Sequence, residues 1–251
     1  MKRERLLWND TVVGHPDLSD AVSGEPIEEA ATQLTLASLN DGVTRERAVS
    51  LLANCANLVG IDAPVLGKIA DIFHLLYPGP VSVSGVTPDP VGTFFLSEAA
   101  DNLVAEAAAK LDGGEAANAL TKVNWVAQEW PDSGRRKLAL AFAANPEKLL
   151  PLAIDVAIES SDPIGQVASE YLAKNASTGL AQRLKPAIPY PTTALRELGE
   201  VVESILHDAV SGDDETARAE RAARASDLSV RLSDLGRREE ALAANEEAVE
   251  I

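Results

Sequence analysis

The sequence predicts an all-α fold in which antiparallel helical hairpins stack as an α-solenoid. Three observations favour it. Alanine is the commonest residue, aromatic residues make up only 4% of the chain, and Val and Ile do not form the alternating runs of half-buried strands. Helices held together by small side chains suit this composition. The one expected exception is a small β-hairpin near residues 81–86.

The charge of the chain limits its partners. The formal net charge is -17, from 39 acidic and 22 basic residues. This balance argues against general affinity for nucleic acid or an anionic membrane, because phosphate binding depends on Lys and Arg. No partner of either kind is expected.

The sequence also indicates a location. No segment approaches the roughly eighteen uninterrupted apolar residues of a membrane span. The basic amino end, MKRERLLWND, lacks the apolar stretch of a signal peptide. Cys55 is the only cysteine, so it forms no intramolecular disulfide. We therefore expect a cytoplasmic protein.

Three helices are expected before residue 80. The stretch Glu25–Asp41 has Pro and acidic residues at its start and apolar residues on one face, which predicts an amphipathic helix. Thr44 is the expected N-cap of a second helix, which extends through Leu58. A third helix, Ala63–Pro78, is ended by Pro-Gly-Pro.

The segment PGPVSVSGVTPDP, Pro78–Pro90, has a different pattern. Gly and Pro recur along it, and Val81 and Val83 alternate with serines. This alternation between breakers predicts a loop or the small β-hairpin.

Helices resume after Pro90. The expected helices are 91–111, 115–129, 134–144, 146–159, 163–174, 194–210 and 216–234. Short breaks between them make neighbouring helices antiparallel. The Pro-rich segment Leu184–Thr193 marks a domain boundary.

The final stretch, LSDLGRREEALAANEEAVEI, is typical of a helix end, a tight turn and a second helix. Leu232, Leu235, Gly236 and Ala248 place large apolar residues before the turn and small ones at the turn and at the helix crossing. This pattern resembles a tetratricopeptide repeat. The resemblance implies a repeat of about 34 residues. The last repeat is therefore expected to be unfinished, either through truncation or because it pairs with a partner, including a second copy of the chain.

A second resemblance covers the amino-terminal part. The segments RERLLWND, FHLLYPGP and GVTPDPVGTFFLSEA, at 3–10, 73–80 and 85–99, resemble those that follow the nucleotide-binding core in bacterial signal-transducing ATPases of the STAND class. In that class a helical or winged-helix module links the ATPase to tetratricopeptide repeats. The resemblance implies a linking domain at 1–110, a helical-hairpin array at 111–185 and tetratricopeptide-like helices at 186–251.

No catalytic, cofactor-binding or metal-binding residue is expected. The nearest string to a phosphate-binding loop, GIDAPVLGKI, has Ile69 after Lys68 and continues into an amphipathic helix. If the parent protein is an ATPase, its active site lies upstream of Met1. His15, His74 and His207 form no HxxxH or HExxH pair, so a metal site is not indicated.

A cluster of arginines in an otherwise acidic chain is the clearest candidate for partner binding. Arg218, Arg221 and Arg224 lie along one predicted helix, and Arg231, Arg237 and Arg238 follow. They suit an acidic partner peptide, or ion pairs within and between repeats, which we favour. Trp125 fits a helix core, and Trp130, before Pro131, fits a plug at a helix end between neighbouring helices. Nucleic-acid stacking is not indicated, because no basic residues alternate with these tryptophans.

Two classes of function follow. The first is a non-catalytic interaction and signal-relay module with a protein or peptide partner. The alternative is a winged-helix transcriptional regulator that binds DNA through the helix Val65–Tyr77, whose charged residues are Lys68 and Asp71. An enzyme with an unrecognised site is a smaller third class. The sequence does not identify the partner, the oligomeric state or the output domain of the parent protein.

Overall fold

The structure is a computed structural model that describes residues 7–8, 10–11, 18, 22, 24–38, 42–78, 83–86, 89–160, 163–212 and 214–251. These residues form 13 α-helices and no strand, so the all-α prediction is confirmed. The chain divides into two compact units, 1–145 and 146–251, called here the first unit and the second unit. The predicted domain division at residues 110 and 185 remains a prediction.

The first unit contains seven of the described helices. They are α1 (Glu25–Ala37), α2 (Arg45–Ala53), α3 (Ala63–Leu76), α4 (Asp89–Glu98), α5 (Asp101–Lys110), α6 (Gly113–Glu129) and α7 (Pro131–Ala144). A short 3-10 helix, Ala56–Leu58, follows α2.

The second unit contains six described helices. They are α8 (Pro146–Ser160), α9 (Ile164–Lys174), α10 (Thr178–Leu184), α11 (Arg196–Asp208), α12 (Glu215–Asp234) and α13 (Arg238–Glu250). Helix α10 was not among the predicted helices. It is only seven residues long and contains Gly179, and the Ser177 hydroxyl caps it by accepting a hydrogen bond from the Leu180 amide at 3.4 Å.

Helix α1 is the centre of the first unit and packs against α2, α5 and α6. Its residues from Glu29 to Ala37 are all buried, including polar ones. The Glu29 carboxylate accepts hydrogen bonds from the amides of Ala56 at 2.6 Å and Asn57 at 2.8 Å. Because buried polar groups need such partners, these bonds fix the 3-10 helix onto α1.

An aromatic cluster joins the amino-terminal segment to α3 and α4. Trp8 is 1% exposed, and its indole Nε1 donates a hydrogen bond to the Tyr77 hydroxyl at 2.9 Å. Its ring packs edge-on against Phe95, with 5.3 Å between centroids, and lies 6.3 Å from the Phe73 ring. Edge-on aromatic pairs are favourable beyond the area they bury, so Trp8 stabilises this part of the unit.

The segment 83–86 packs on α1 without forming a strand. Val83 makes isolated antiparallel bridges with Val43 and Pro78. The Val86 amide donates to Thr35 Oγ1 at 2.8 Å, and a Cβ at Gly85 would lie 2.2 Å from the Thr35 backbone nitrogen, so the close approach requires glycine. Residues 81 and 82 lie outside the described residues, and the β-hairpin remains a prediction.

The predicted helix 91–111 is wrong in one respect, because it is two helices. Helix α4 ends at Glu98 and α5 begins at Asp101, and Ala100 between them has ψ 133°. In a continuous helix the Ser97 carbonyl would accept the Asp101 amide. Here it accepts hydrogen bonds from Ser133 Oγ at 2.9 Å and Lys137 Nζ at 3.3 Å, both on α7. Packing of α7 against this carbonyl accounts for the interruption.

Candidate functional site

The hairpin formed by α12 and α13 contains the predicted repeat positions. Asp214 caps α12, and its carboxylate accepts the Ala217 amide at 2.8 Å. The two helices pack together and are joined by the three residues Leu235–Arg237, so they are antiparallel.

The turn of this hairpin is a Schellman motif centred on Gly236. Gly236 has φ 76°, a left-handed conformation that favours glycine. The Arg237 amide donates to the Leu232 carbonyl at 3.0 Å, and the Gly236 amide donates to the Ser233 carbonyl at 2.9 Å. The glycine therefore ends α12 and reverses the chain into α13.

The other predicted repeat positions lie at different points along the same hairpin. Leu232 is buried, whereas Leu235 and Ala248 are half-buried. Leu232 and Leu235 therefore lie next to the turn, whereas Ala248 lies in the last turn of α13, and the assignment of these residues to a tetratricopeptide repeat remains a prediction.

Helix α13 has an exposed apolar face. Ala244 is its only buried residue, whereas Leu242 is 57% exposed and Val249 is 81% exposed. These two residues are seven positions apart, so they lie on the same side of the helix. Exposed carboxylates flank them at Glu239, Glu240, Glu246 and Glu250. We call Leu242 and Val249 the α13 face.

The three arginines predicted to bind a partner have contacts within the chain. Arg221 donates to the Gly212 carbonyl at 2.9 Å, and Arg224 donates to Glu220 at 3.4 Å. Arg218 is exposed and also has an interaction within the protein. Their role in partner binding remains a prediction.

Two further arginines of the same cluster connect the hairpin with neighbouring parts of the second unit. The Arg231 guanidinium lies over the Tyr190 ring, 5.1 Å from its centroid. Arg237 donates to Glu240 of α13 at 2.7 Å and to Glu200 of α11 at 3.0 Å. The hydrogen bond from Arg237 lowers the pKa of the Glu240 carboxyl below its usual value.

A groove of about 610 Å³ lies beside α11 and α12. Lys185 donates there to the buried Glu203 at 2.9 Å and to Asp227 at 2.7 Å, and so connects the two helices. Neither acid was predicted from the sequence, because each stands in an ordinary amphipathic helix. Both carboxylates are already paired with Lys185, so they are not the free acid–base pair that hydrolysis would need.

A buried lysine in the first unit was also missed. Lys137 is 1% exposed, and its Nζ donates to Asp101 at 2.5 Å and to Ser133 at 2.8 Å. Burial raises the pKa of Asp101, but hydrogen bonds from Lys137 and Arg136 outweigh it, so this pKa lies below its usual value. The arrangement satisfies a buried cation and leaves no reactive group.

Burial and contacts within the chain account for Cys55 and His207. Burial, with the charge of Glu29 as a second cause, raises the pKa of Cys55 to about 12, so its thiol stays protonated at neutral pH. His207 contacts Glu247 at 3.2 Å and Asp208 at 3.2 Å. His15 lies outside the described residues. Within the described ranges, no three His, Cys, Asp or Glu residues are grouped to hold a metal ion.

None of the helices in the described part of the chain combines the length and apolarity that a membrane crossing requires. No family model, curated protein or solved structure matches the chain. The function is therefore inferred from the residues and their geometry.

Proposed function

We propose that the chain is a non-catalytic protein–protein interaction and signal-relay module, the regulatory part of a signal-transducing ATPase of the STAND class. The observation that carries this proposal is the α13 face. A helix that buries only Ala244 and exposes Leu242 and Val249, two turns apart on the same side, suits a surface covered by a neighbouring repeat or a partner protein. Full burial of one such aliphatic side chain is worth about 1.5–3 kcal/mol.

The order of contacts in the second unit supports a repeat array. Helix α9 packs against α11, α11 against α12, and α12 against α13. Each helix thus contacts near neighbours in the chain, as helices of a solenoid do. We propose that these hairpins stack as an α-solenoid of tetratricopeptide-like repeats, within which α12 and α13 form one repeat.

The contacts around α1, α2 and α3 support a winged-helix-like linking domain. Val83, after α3, bridges Val43, which lies between α1 and α2, and also bridges Pro78. Helices α1 and α2 pack together, as do α2 and α3. Such a module has three helices, and the chain segment before its second helix pairs with the segment after its third. We propose that its role is cytoplasmic relay.

The same bridges also favour the alternative, DNA binding through a winged helix. In that case α3 would enter the major groove. Its exposed face carries Asp71, whose carboxylate accepts two hydrogen bonds from Arg45 at 2.6 Å and 2.9 Å. Arg45 would otherwise be available to bind a DNA phosphate, but here it is paired with Asp71. Electrophoretic retardation of random duplex DNA at low salt tests the alternative, and clear binding would favour it over relay.

Sequencing the DNA on both sides of the reading frame that encodes the chain tests the relay proposal. We expect the DNA upstream to encode a phosphate-binding loop with Lys followed by Ser or Thr, and the DNA downstream to encode further helical repeats. A frame with no nucleotide-binding sequence upstream would contradict the ATPase assignment, whereas the absence of further repeats would contradict the array.

A further inference from the structure

A second surface, in the first unit, has the composition of a ligand site. A cleft of about 500 Å³ is lined by Pro90, Thr93, Trp125, Gln128, Glu129 and Trp130. Both tryptophans are only half-buried. Aromatic side chains usually bury most of their area, so two indoles left open in one cleft indicate a surface that a ligand covers.

The electrostatics of the cleft favour a cation. Glu129 is exposed, and among the described residues no cation pairs with its carboxylate. It is also the last residue of α6, where the helix dipole adds partial negative charge. Among the described residues that line the cleft there is no Lys or Arg. The faces of indole rings attract cations as well.

The cleft is held in place by close helix packing. A Cβ at Gly134 would lie 2.2 Å from the Ala127 backbone nitrogen, so α6 and α7 meet with no space for a side chain. The Trp130 ring contacts the Phe94 ring of α4, with 5.8 Å between centroids. Because the walls come from helices in direct contact, little ordering is needed when a ligand enters.

We propose that this cleft binds an arginine side chain of a partner protein, with the guanidinium against the indoles of Trp125 and Trp130 and its charge facing Glu129. Arginine is the preferred occupant because its planar, weakly hydrated cation stacks on aromatic rings. A carboxylate beside the rings then receives its hydrogen bonds. The site goes beyond the relay proposal, since it lies in the first unit and uses none of the repeat residues.

Fluorine NMR of the whole chain labelled with 5-fluorotryptophan tests this proposal. The chain has three tryptophans, and Trp8 is buried in the aromatic cluster, so its resonance is an internal control. The probe is acetyl-Gly-Arg-Gly-amide, compared with the same peptide containing citrulline, an uncharged isostere of arginine. We expect the Trp125 and Trp130 resonances to shift with the arginine peptide, and the citrulline peptide to bind about tenfold more weakly.

Matched variants separate the cleft from the general negative field of the chain. Glu129→Gln removes the cleft charge and should weaken the arginine peptide about threefold. Glu106→Gln removes the same charge from an exposed position on α5 outside the cleft and should leave binding unchanged. Trp125→Leu keeps an apolar side chain but removes the indole, and should weaken binding about fivefold. An unmoved Trp8 resonance in each variant shows that the fold is kept.

Several results would overturn the proposal. Equal shifts with the arginine and citrulline peptides would show an apolar cleft without cation selectivity. Equal effects of Glu129→Gln and Glu106→Gln would show attraction to the net charge only. Tighter binding of the corresponding lysine peptide would exclude arginine as the preferred occupant, and unchanged Trp125 and Trp130 resonances would exclude the site. None of these results bears on the α13 face, so the relay proposal is tested separately.

Discussion

Lys137 is the residue on which the packing of α7 depends most clearly. Its Nζ is buried and reaches Asp101, Ser133 and the Ser97 carbonyl, so one side chain connects α7 with both helices at the α4–α5 break. Removing one partner of a buried ion pair is costly, because the remaining charge stays out of water. The pair is therefore structural, and its loss should be visible in stability.

Asp101→Asn should lower the free energy of unfolding of the first unit by about 3 kcal/mol. Tryptophan fluorescence during urea unfolding measures this change, because all three tryptophans lie within residues 1–145. Arg136→Gln is the control, since Arg136 bonds to the same carboxylate but is 62% exposed, and it should cost less than about 1 kcal/mol. Equal losses in the two variants would contradict a dominant role for Lys137.

The same pair predicts a pH dependence. The pKa of Asp101 is lowered in the folded state, so its contribution is fully present above its unfolded pKa of about 3.9 and is lost as pH falls through the folded pKa. The difference in unfolding free energy between the wild type and Asp101→Asn should therefore shrink below about pH 4. A difference that stays constant from neutral to acidic pH would show that the carboxylate is not the titrating group.

The turn between α12 and α13 depends on the left-handed conformation of Gly236, which has φ 76°. Gly236→Ala should destabilise the hairpin by about 1 kcal/mol. Hydrogen exchange of peptides from α12 and α13, followed by mass spectrometry, measures the loss. Gly179→Ala is the control, because a Cβ there meets no atom within 4 Å and alanine favours helix. Slower exchange in Gly236→Ala would contradict the turn geometry.

The α13 face should tolerate polar substitution. Leu242→Lys is expected to change stability by no more than about 0.5 kcal/mol, because Leu242 is 57% exposed. Leu232→Ala, on the packed side of the same hairpin, should cost about 2 kcal/mol or more. Hydrogen exchange of α12 and α13 compares the two. Comparable losses would mean that Leu242 is already covered within the chain.

Helix bounds were predictable from the sequence where a nearby residue such as proline begins or ends the helix. Pro146 begins α8 in both the prediction and the structure, and Glu129 ends α6 in both. The break between α4 and α5 was not predictable, because side chains of α7 cause it through the Ser97 carbonyl and no local breaker stands there. Short-range sequence patterns cannot report a contact made across some forty positions.

Some residues of the candidate site were likewise predictable from local sequence patterns, and others were not. The turn at Gly236 follows from a local pattern of apolar and small residues. The sequence indicated the burial of Lys137 only weakly. This residue stands four positions before the buried Ala141, on the apolar side of α7, but a lysine is expected to face solvent unless a partner such as Asp101 is known. The Trp125–Trp130 cleft was not predicted, because Trp125 was interpreted as a core residue and Trp130 as a plug at a helix end.

At the scale of the whole molecule, the charge and the exposed apolar surfaces are the basis on which we propose protein partners rather than nucleic acid. The net charge is -17, and the α13 face and the Trp125–Trp130 cleft, two of the exposed apolar surfaces in the described part of the chain, each have carboxylates beside them. Such surfaces suit partners with apolar and basic residues. In the proposed relay, a partner bound at the α13 face alters how the linking domain controls an upstream nucleotide module.

The rate of ATP hydrolysis by the complete gene product tests this relay most directly. It should be measured for the wild type and for a variant carrying both Leu242→Lys and Val249→Lys, which we expect to leave the hairpin folded because both side chains are exposed. Coupling between distant sites is typically worth about 1–3 kcal/mol, so the account predicts that the rates differ by about fivefold or more. Equal rates in the two proteins, or no hydrolysis by either, would contradict it.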